Sequence, residues 1–261
     1  MSAVETTLGQ PWDLEPLGGS SGRTFLAGAS RDLVVRLDTD PAIIARLSAL
    51  GLTPGLLGSG SVAGRTFVIQ QRITGEPLNS RGLAAHWKDA AALLRRLHED
   101  IVLARMVRRL SPAELVETSS SRLPVAHPAR AGARELLARS DRLGAVLHVA
   151  THGDPNAGNF LFDGKLWLID WDELQLADPV RDVGQVAWWY LDRAAWPAFL
   201  TAAGIPFEDA AMDRLFWWVA AESLDVAVRL LPSDPESAAA FLGDMAAALA
   251  HQPNPRRRPA G

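Results

Sequence analysis

The chain has no cysteine among its 261 residues. This absence excludes disulfide bonds, thiolate metal ligands and a cysteine nucleophile. Lysine is also scarce, since only Lys88 and Lys165 occur and arginine supplies the other basic side chains. No basic patch with interleaved aromatic residues is present, so we expect no nucleic-acid partner.

Long apolar runs are missing as well. No unbroken apolar segment reaches the roughly 18–20 residues that a membrane span needs, and the start of the chain, MSAVETTLGQPWDLE, lacks the basic and then apolar pattern of a signal peptide. We therefore expect a soluble, cytoplasmic protein with no membrane partner. Hydrophobic residues make up 48% of the chain, which is enough for a sizeable core in one large domain or two lobes.

The most informative segment holds two carboxylates and an amide. Asp154 precedes Asn159 by five residues in a turn-rich loop, and Asp170 closes the apolar run that follows. Phosphoryl transfer uses one carboxylate to accept the proton of the attacking hydroxyl, and an amide with a second carboxylate to hold Mg²⁺. The protein-kinase catalytic loop has the same five-residue spacing. A simple Gly-Asp-Pro-Asn turn is the alternative interpretation, but it does not explain the later Asn and Asp.

The sequence His152-Gly153-Asp154 with Asn159, followed by Ile169-Asp170-Trp171-Asp172, resembles the aminoglycoside phosphotransferase and choline kinase superfamily. The resemblance implies a protein-kinase-like, bilobal α+β fold. We expect a small β-rich N-terminal lobe over residues 1–72 and a larger helical lobe over 73–250. Residues 251–261 are rich in proline and arginine, and we expect a disordered tail there.

The resemblance also implies the role of each residue in this segment. Asp154 is the expected catalytic base, and Asn159 and Asp170 are the expected ligands of Mg²⁺. His152 is expected to pack beneath the catalytic loop, and Asp182 to brace it. The phosphate donor would be ATP, with GTP as the alternative.

A second set of candidates precedes the catalytic segment and concerns the nucleotide. Small residues let backbone N–H groups approach phosphate oxygens, and a β-branched strand with one cation, Arg36, follows the Gly- and Ser-rich turn. The family carries Lys or Arg at this place, and Asp38 or Asp40 could pair with Arg36. The later strand ending near Arg72 resembles the hinge that meets adenine. The expected nucleotide-binding residues are Gly18, Gly19, Ser20, Ser21, Gly22, Arg36, Gln70, Gln71 and Arg72.

Charge is distributed unevenly along the chain. Residues 151–250 hold 16 acidic and 5 basic side chains, a net charge of −11, whereas the rest of the chain carries +7. A cleft lined by one sign of charge concentrates substrates of the other sign, so we expect a cationic acceptor. The candidate acceptor contacts are Asp172, Glu173, Glu222 and Asp225.

These observations predict an O-phosphotransferase that acts on a hydroxyl of a small cationic molecule. An antibiotic, either an aminoglycoside or a basic peptide, is the expected acceptor, and its phosphorylation would confer resistance. A metabolic kinase for choline, thiamine or a sugar is the first alternative. A nucleotide-binding pseudokinase module is the second. We expect a monomer or a weak dimer.

Overall fold

The computed structural model of the protein describes residues 14–17, 22–28, 30–143, 146–252 and 254–256. Ten strands occur in these ranges: β1 (Glu15–Pro16), β2 (Thr24–Ala27), β3 (Leu33–Leu37), β4 (Leu56–Val62), β5 (Arg65–Gln71), β6 (Glu76–Pro77), β7 (Val149–Thr151), β8 (Phe160–Phe162), β9 (Leu166–Leu168) and β10 (Gln175–Ala177). Ten α-helices occur in them too: α1 (Pro41–Ala49), α2 (Ser80–Ala85), α3 (Trp87–His98), α4 (Ile101–Ala104), α5 (Pro112–Ser121), α6 (Ala129–Ser140), α7 (Val180–Tyr190), α8 (Trp196–Ala202), α9 (Asp209–Leu230) and α10 (Pro235–Leu249). Short 3-10 turns lie at Asp141–Leu143, Ala157–Asn159, Trp171–Glu173 and Arg193–Ala195.

The chain folds into two compact units. The first contains residues 1–78 and 158–169, and the second contains 79–157 and 170–261. The predicted boundary at residue 72 is therefore displaced to Leu78. The sequence also missed that 158–169 returns to the first unit.

An antiparallel five-stranded sheet in the order β1-β2-β3-β5-β4 forms most of the first unit. Alternation along β4 is typical of a strand with one covered face, whereas the four residues Phe67–Gln70 of β5 are all buried. Ala27, Val35, Phe67 and Ile69 form the core of this sheet and are each completely buried. The helix α1 begins at a capped turn, because Asp40 accepts a hydrogen bond from Ala42 N at 2.8 Å and Pro41 occupies the first turn.

A smaller sheet explains why residues 158–169 belong to the first unit. The strand β8 pairs with both β6 and β9. Leu168 N also donates to Leu52 O at 3.0 Å. These pairings connect strands that are far apart in sequence, and local patterns carry no signal for such pairings.

Helices dominate the second unit. Its longest helix, α9, packs against α10, α7 and α5. Burial of α7 is almost continuous from Val180 to Trp188, because neighbouring elements surround the helix. The strands β7 and β10 pair antiparallel on either side of the catalytic segment in sequence. None of the helices in the described ranges has the length and apolar character that crossing a membrane requires.

The end of the chain differs from the predicted disordered tail at the residues that the structure describes. His251 stacks on Phe216 with ring centroids 4.4 Å apart. Asn254 is buried and donates to Trp188 O at 3.0 Å. Arg256 forms an ion pair with Asp244. A run of proline and arginine indicated disorder by composition, but these side chains find partners on the helices of the second unit.

Candidate active site

Side chains from α7 hold the backbone of the loop that leads to Asp154. The carboxylate of Asp182 accepts hydrogen bonds from His152 N at 2.8 Å and from Gly153 N at 2.9 Å. One turn later on the helix, Gln185 Nε2 donates to Gly153 O at 2.8 Å. Residues three apart lie on the same helix face, so this face of α7 fixes both polar groups of Gly153.

Asp182 is completely buried, yet it is surrounded by donors. His98 Nε2, at the end of α3, lies 2.9 Å from Asp182 Oδ2. Burial by itself raises the pKa of Asp182, but the hydrogen bond from His98, the charge of His98 and the hydrogen bond from Gly153 N outweigh burial, and the pKa is lowered. The charged carboxylate is therefore the form that supports the loop.

His152 connects the loop to the structure beneath it. Its ring is buried and lies 4.7 Å from the Trp171 ring. The ring atom Nδ1 accepts a hydrogen bond from Asp154 N at 3.2 Å, which requires Nδ1 to be unprotonated. His152 thus orients the backbone of Asp154 from within the protein.

The carboxylate of Asp154 is only partly buried. Its Oδ2 atom accepts a hydrogen bond from Asn156 Nδ2 at 2.9 Å. The hydroxyl group of Tyr190 is close to this loop and forms a hydrogen bond with the Ala157 backbone. Burial raises the pKa of Tyr190, and this hydrogen bond lowers it in part. The negative charge of Asp154 adds to the increase. A carboxylate with a fixed backbone and an accessible side chain has the geometry of a general base.

Gly153 cannot be replaced easily at its position. Its φ of +90° lies in the region that favours glycine. A Cβ atom on Gly153 would overlap the Glu173 carbonyl and lie 2.9 Å from a guanidinium nitrogen of Arg181. The loop therefore passes directly over the turn that follows Asp170.

A buried ion pair lies beside this contact. Arg181 Nε donates to Glu222 Oε1 at 2.6 Å, and both side chains are at most 5% exposed. Burial raises the pKa of Glu222 to about 7, although Arg181 opposes that change. Glu222 was expected to contact the acceptor, but the structure shows it as the partner of Arg181.

Asp170 has an unusual backbone conformation. Its φ of 62° and ψ of 72° are left-handed, and it precedes the 3-10 turn Trp171–Glu173 without forming a side-chain cap. A non-glycine residue held in this region is strained, and such strain is frequent at functional sites. Asp170 is exposed.

The expected metal ligands are an amide and a carboxylate. Asn159 lies in the first unit, where its carbonyl accepts a hydrogen bond from Ile169 N at 2.9 Å. Amide and carboxylate oxygens are hard donors of the kind that Mg²⁺ takes together with waters and phosphates. Groups of three or more His, Cys, Asp or Glu that could hold a metal ion do not occur in the described part of the chain.

The predicted nucleotide residues all belong to the first unit. Gly18, Gly19, Ser20 and Ser21 lie outside the described residues, whereas Gly22 is exposed just before β2. Arg36 is on β3, opposite Thr24 on one side and Val68 on the other.

The expected partners of Arg36 have other contacts. Asp38 accepts from Arg65 Nε at 2.9 Å, and this hydrogen bond is the largest cause of its lowered pKa. Asp40 caps α1.

The hinge candidates differ among themselves. Gln70 is buried, and its Nε2 atom donates to Pro54 O at 2.8 Å, so its side chain has a structural contact. Gln71 is exposed at the end of β5. Arg72 donates from its guanidinium to Arg31 O at 3.3 Å. Any adenine contact in this segment would therefore come from the backbone or from exposed side chains.

The four predicted acceptor residues lie in the second unit. Asp225 accepts from Ser119 Oγ at 2.7 Å and pairs with Arg229 at 3.0 Å. Glu173 is half-exposed and 3.8 Å from Arg229. Asp172 is exposed on the 3-10 turn after Asp170. The net charge of the whole second unit is −3, from 22 acidic and 19 basic residues, because residues 79–150 add +5 and residues 251–261 add +3 to the −11 of residues 151–250.

Three residues near the loop were not predicted from the sequence: Gln185, which bonds Gly153, His98, which bonds Asp182, and Arg181, which lies beside Gly153. Gln185 offered a signal, because it lies one turn after Asp182 on the same helix. The Arg181–Glu222 and His98–Asp182 contacts join residues 41 and 84 positions apart, and a single sequence does not reveal such pairs.

The family model described as a phosphotransferase enzyme family, APH, matches residues 13–218. The chain belongs to this phosphotransferase family. Its kinase activity and small-molecule substrate class follow from that membership, as the resemblance of the 152–172 segment had predicted. The acceptor's identity does not follow from it.

Solved structures with the same fold include both choline kinases and antibiotic phosphotransferases. Choline kinase LicA from Streptococcus pneumoniae is 16% identical, with a TM-score of 0.71 over 92% of this chain and 93% of that one. A choline/ethanolamine kinase family protein from Mesorhizobium loti is 22% identical, with a TM-score of 0.68 over 91% and 87%. The GDP and kanamycin complex of APH(2")-IIIa is 15% identical, with a TM-score of 0.70 over 95% and 97%. The predicted kinase-like α+β fold is confirmed.

Proposed function

We propose that the protein transfers the γ-phosphoryl group of ATP or GTP to a hydroxyl of a small molecule, with Asp154 as the catalytic base. The observation that carries this proposal is the loop 152–154, in which three side chains fix the backbone and leave the Asp154 carboxylate accessible. Such a carboxylate accepts the proton of the hydroxyl as it attacks the phosphorus atom, a role worth about 10²–10⁴-fold in rate.

Asn159 and Asp170 are proposed to hold Mg²⁺. Their hard oxygen donors suit this ion, and the strained backbone of Asp170 is typical of a functional position. Bound Mg²⁺ would neutralise charge on the nucleotide phosphates. Arg36, in the first unit, is proposed to contact those phosphates through its guanidinium group.

The acceptor is proposed to carry at least one amino group, as aminoglycosides and basic peptide antibiotics do. Support comes from Asp172 and Glu173, two accessible carboxylates in the turn directly after Asp170. Glu222 and Asp225 contribute less to this argument because they are engaged by Arg181 and Arg229. Phosphorylation of an antibiotic hydroxyl would confer resistance.

A metabolic kinase for choline, thiamine or a sugar is the second candidate. It is favoured by the fold shared with a choline kinase at a TM-score of 0.71, and choline is also a cation with a hydroxyl group. The two candidates use the same chemistry and differ only in the acceptor. The pseudokinase alternative requires that Asp154, Asn159 and Asp170 have no catalytic role.

The experiment that tests the proposal is a screen of aminoglycosides, basic peptide antibiotics, choline, thiamine and sugars for acceptor-dependent ADP release with Mg²⁺ and ATP or GTP. For any acceptor found, the Asp154→Asn variant should lose about 10²–10⁴-fold in kcat while it binds nucleotide normally. The matched control is Asp163→Asn, an exposed carboxylate of the β8–β9 turn whose contact is Trp167 Nε1 at 2.9 Å.

Two outcomes would contradict the proposal. A near-normal kcat in Asp154→Asn would remove Asp154 from the role of base. Nucleotide binding without ADP release from any acceptor would favour the pseudokinase module.

A further inference from the structure

A cavity of about 320 Å³ adjoins the catalytic loop in the second unit. Gly153, which directly precedes Asp154, forms part of its wall, as does Glu173. Cavities of roughly 300–1,000 Å³ are the size that holds small molecules. Asp154 is the next residue along the chain, so a molecule in this cavity lies against the backbone that carries the proposed catalytic base.

The cavity is not the acidic cleft that the charge of residues 151–250 predicted. Four arginines and four carboxylates line it. Arg181 and Glu222 neutralise each other in a buried pair. The Arg229 guanidinium group lies 3.0 Å from the Asp225 carboxylate and 3.8 Å from the Glu173 carboxylate. Its single positive charge offsets one of these two negative charges.

The remaining charged groups in the wall are Arg108, Arg122 and Glu114. Arg108 directly precedes the bridge residue Arg109, and Arg122 caps the end of α5. Both arginines are exposed, and neither guanidinium group forms an ion pair or a side-chain hydrogen bond with another residue of the described ranges. These three groups together carry a charge of +1, and the group of Asp225, Glu173 and Arg229 carries −1, so the neutral lining offers charges of both signs to a ligand.

We propose that the acceptor carries an anionic group, such as a carboxylate, which Arg108 and Arg122 bind. A guanidinium group matches a carboxylate with two parallel hydrogen bonds, and both Arg108 and Arg122 line this cavity. The proposal rests on the function proposed above and narrows its acceptor to a bipolar molecule, with an amino group near Glu173 and an acidic group near the two arginines.

The test uses probes that differ only in this charge. L-carnitine and L-serine each combine a hydroxyl group, a cationic nitrogen and a carboxylate, whereas carnitinamide and serinamide replace the carboxylate by a neutral amide. Their Kd values are measured by calorimetry on the full chain, with ADP saturating the nucleotide site. Hydrogen bonds to a charged group are worth about 1.5–3 kcal/mol, so at least one carboxylate should bind about tenfold or more tightly than its amide.

Variants assign the difference to the two arginines. The double variant Arg108→Gln with Arg122→Gln should bind carboxylate and amide within about twofold of each other, because its neutral side chains no longer distinguish them. Glu114→Gln should strengthen carboxylate binding about two- to fivefold, since it removes a repelling charge. Arg105→Gln, an exposed arginine outside the cavity wall, is the control and should leave both Kd values unchanged.

Three results would overturn the proposal. The carboxylates and amides could bind with equal affinity, neither series could bind, or the preference for carboxylates could persist in the double variant. These results are distinct from failure of the proposed function. If carboxylates bind through the two arginines but no acceptor of any kind stimulates ADP release, the anion site stands and the phosphotransfer role is rejected. If only acceptors without an acidic group are phosphorylated, the phosphotransfer role stands and the anion site is rejected.

Discussion

Glu222 is a carboxylate whose charge state depends on its place in the fold. In the sequence it is one more acidic residue of a helix, but in the structure it is buried against Arg181 and its pKa is raised to about 7. Such a raised pKa means that the folded state holds a proton more tightly than the unfolded state does. The local sequence around Glu222 does not indicate this burial, because Arg181 lies on a different helix.

Glu222 therefore makes stability depend on pH. Its stabilising contribution is fully present below the ordinary pKa of about 4.5 and is lost as pH rises towards 7, because the folded protein binds the proton over that interval and the unfolded chain does not. The Glu222→Gln variant should lack this loss. As the pH rises from 4.5 to 7, the free energy of unfolding of the wild type should therefore fall relative to that of Glu222→Gln, by up to about 3 kcal/mol.

Urea denaturation at several pH values in this interval measures the effect. The exposed Glu117→Gln on α5 is the control and should follow the wild-type profile. Parallel pH profiles for wild type and Glu222→Gln would show that Glu222 is ionised throughout this interval.

At the scale of elements, α7 is the scaffold of the loop 152–154 that carries the proposed catalytic base. Asp182 and Gln185 project from one face of this helix to hold both the N–H and the carbonyl of Gly153. The Asp182 candidate came from family resemblance and the Gln185 contact from the structure alone. We expect the same face to control where Asp154 points.

Removing the Gln185 amide tests this scaffold. In Gln185→Ala the Gly153 carbonyl loses its partner, which should lower stability by about 1–3 kcal/mol and lower kcat more than it raises the KM for nucleotide. The measurement is steady-state kinetics beside thermal unfolding. Loss of stability with an unchanged kcat would reduce Gln185 to a packing residue.

The loop itself needs glycine at position 153. Gly153 and Gly164 both have positive φ, at +90° and +97°, but a Cβ atom would overlap the Glu173 carbonyl only at Gly153 and would meet nothing within 4 Å at Gly164. Gly153→Ala should therefore lose activity and more stability than Gly164→Ala, whose cost should be the backbone term of about 1–2 kcal/mol.

The two glycine variants form a matched pair for circular dichroism melts and ADP-release assays. Gly164→Ala should retain kcat. Equal losses of stability in the two variants would mean that backbone strain alone accounts for Gly153, without the contact to Glu173.

At the scale of the whole molecule, the described residues 254–256 contact helices of the second unit. Asn254 donates to the carbonyl of Trp188, a completely buried residue of α7, and Arg256 packs over the Phe241 ring at 4.3 Å. The chain therefore closes on the helix that also supports the catalytic loop.

Asn254→Ala should destabilise the protein by about 1–3 kcal/mol, because the buried Trp188 carbonyl loses its hydrogen bond. Thermal unfolding measures this change. Ser233→Ala, in the exposed turn before α10, is the control and should have little effect. An unchanged midpoint in Asn254→Ala would mean that this contact contributes nothing to folding.

Several features of the protein are determined by the sequence alone. The spacing of Asp154, Asn159 and Asp170 indicated phosphoryl-transfer chemistry, and the resemblance of the segment 152–172 predicted the family, which the family model confirms. Local rules also account for the start of α1 at Asp40 and Pro41, since capping acts between residues two or three positions apart.

Only the tertiary structure decided which charges remain available. Counting residues 151–250 predicted an acidic cleft, but the fold brings Arg108 and Arg122 from an earlier, basic segment to the same cavity and pairs Glu222 with Arg181. It also returned residues 158–169 to the first unit by pairing β8 with β6. The physical reason is common to both: electrostatics and strand pairing act between residues that are close in space, whatever their distance along the chain.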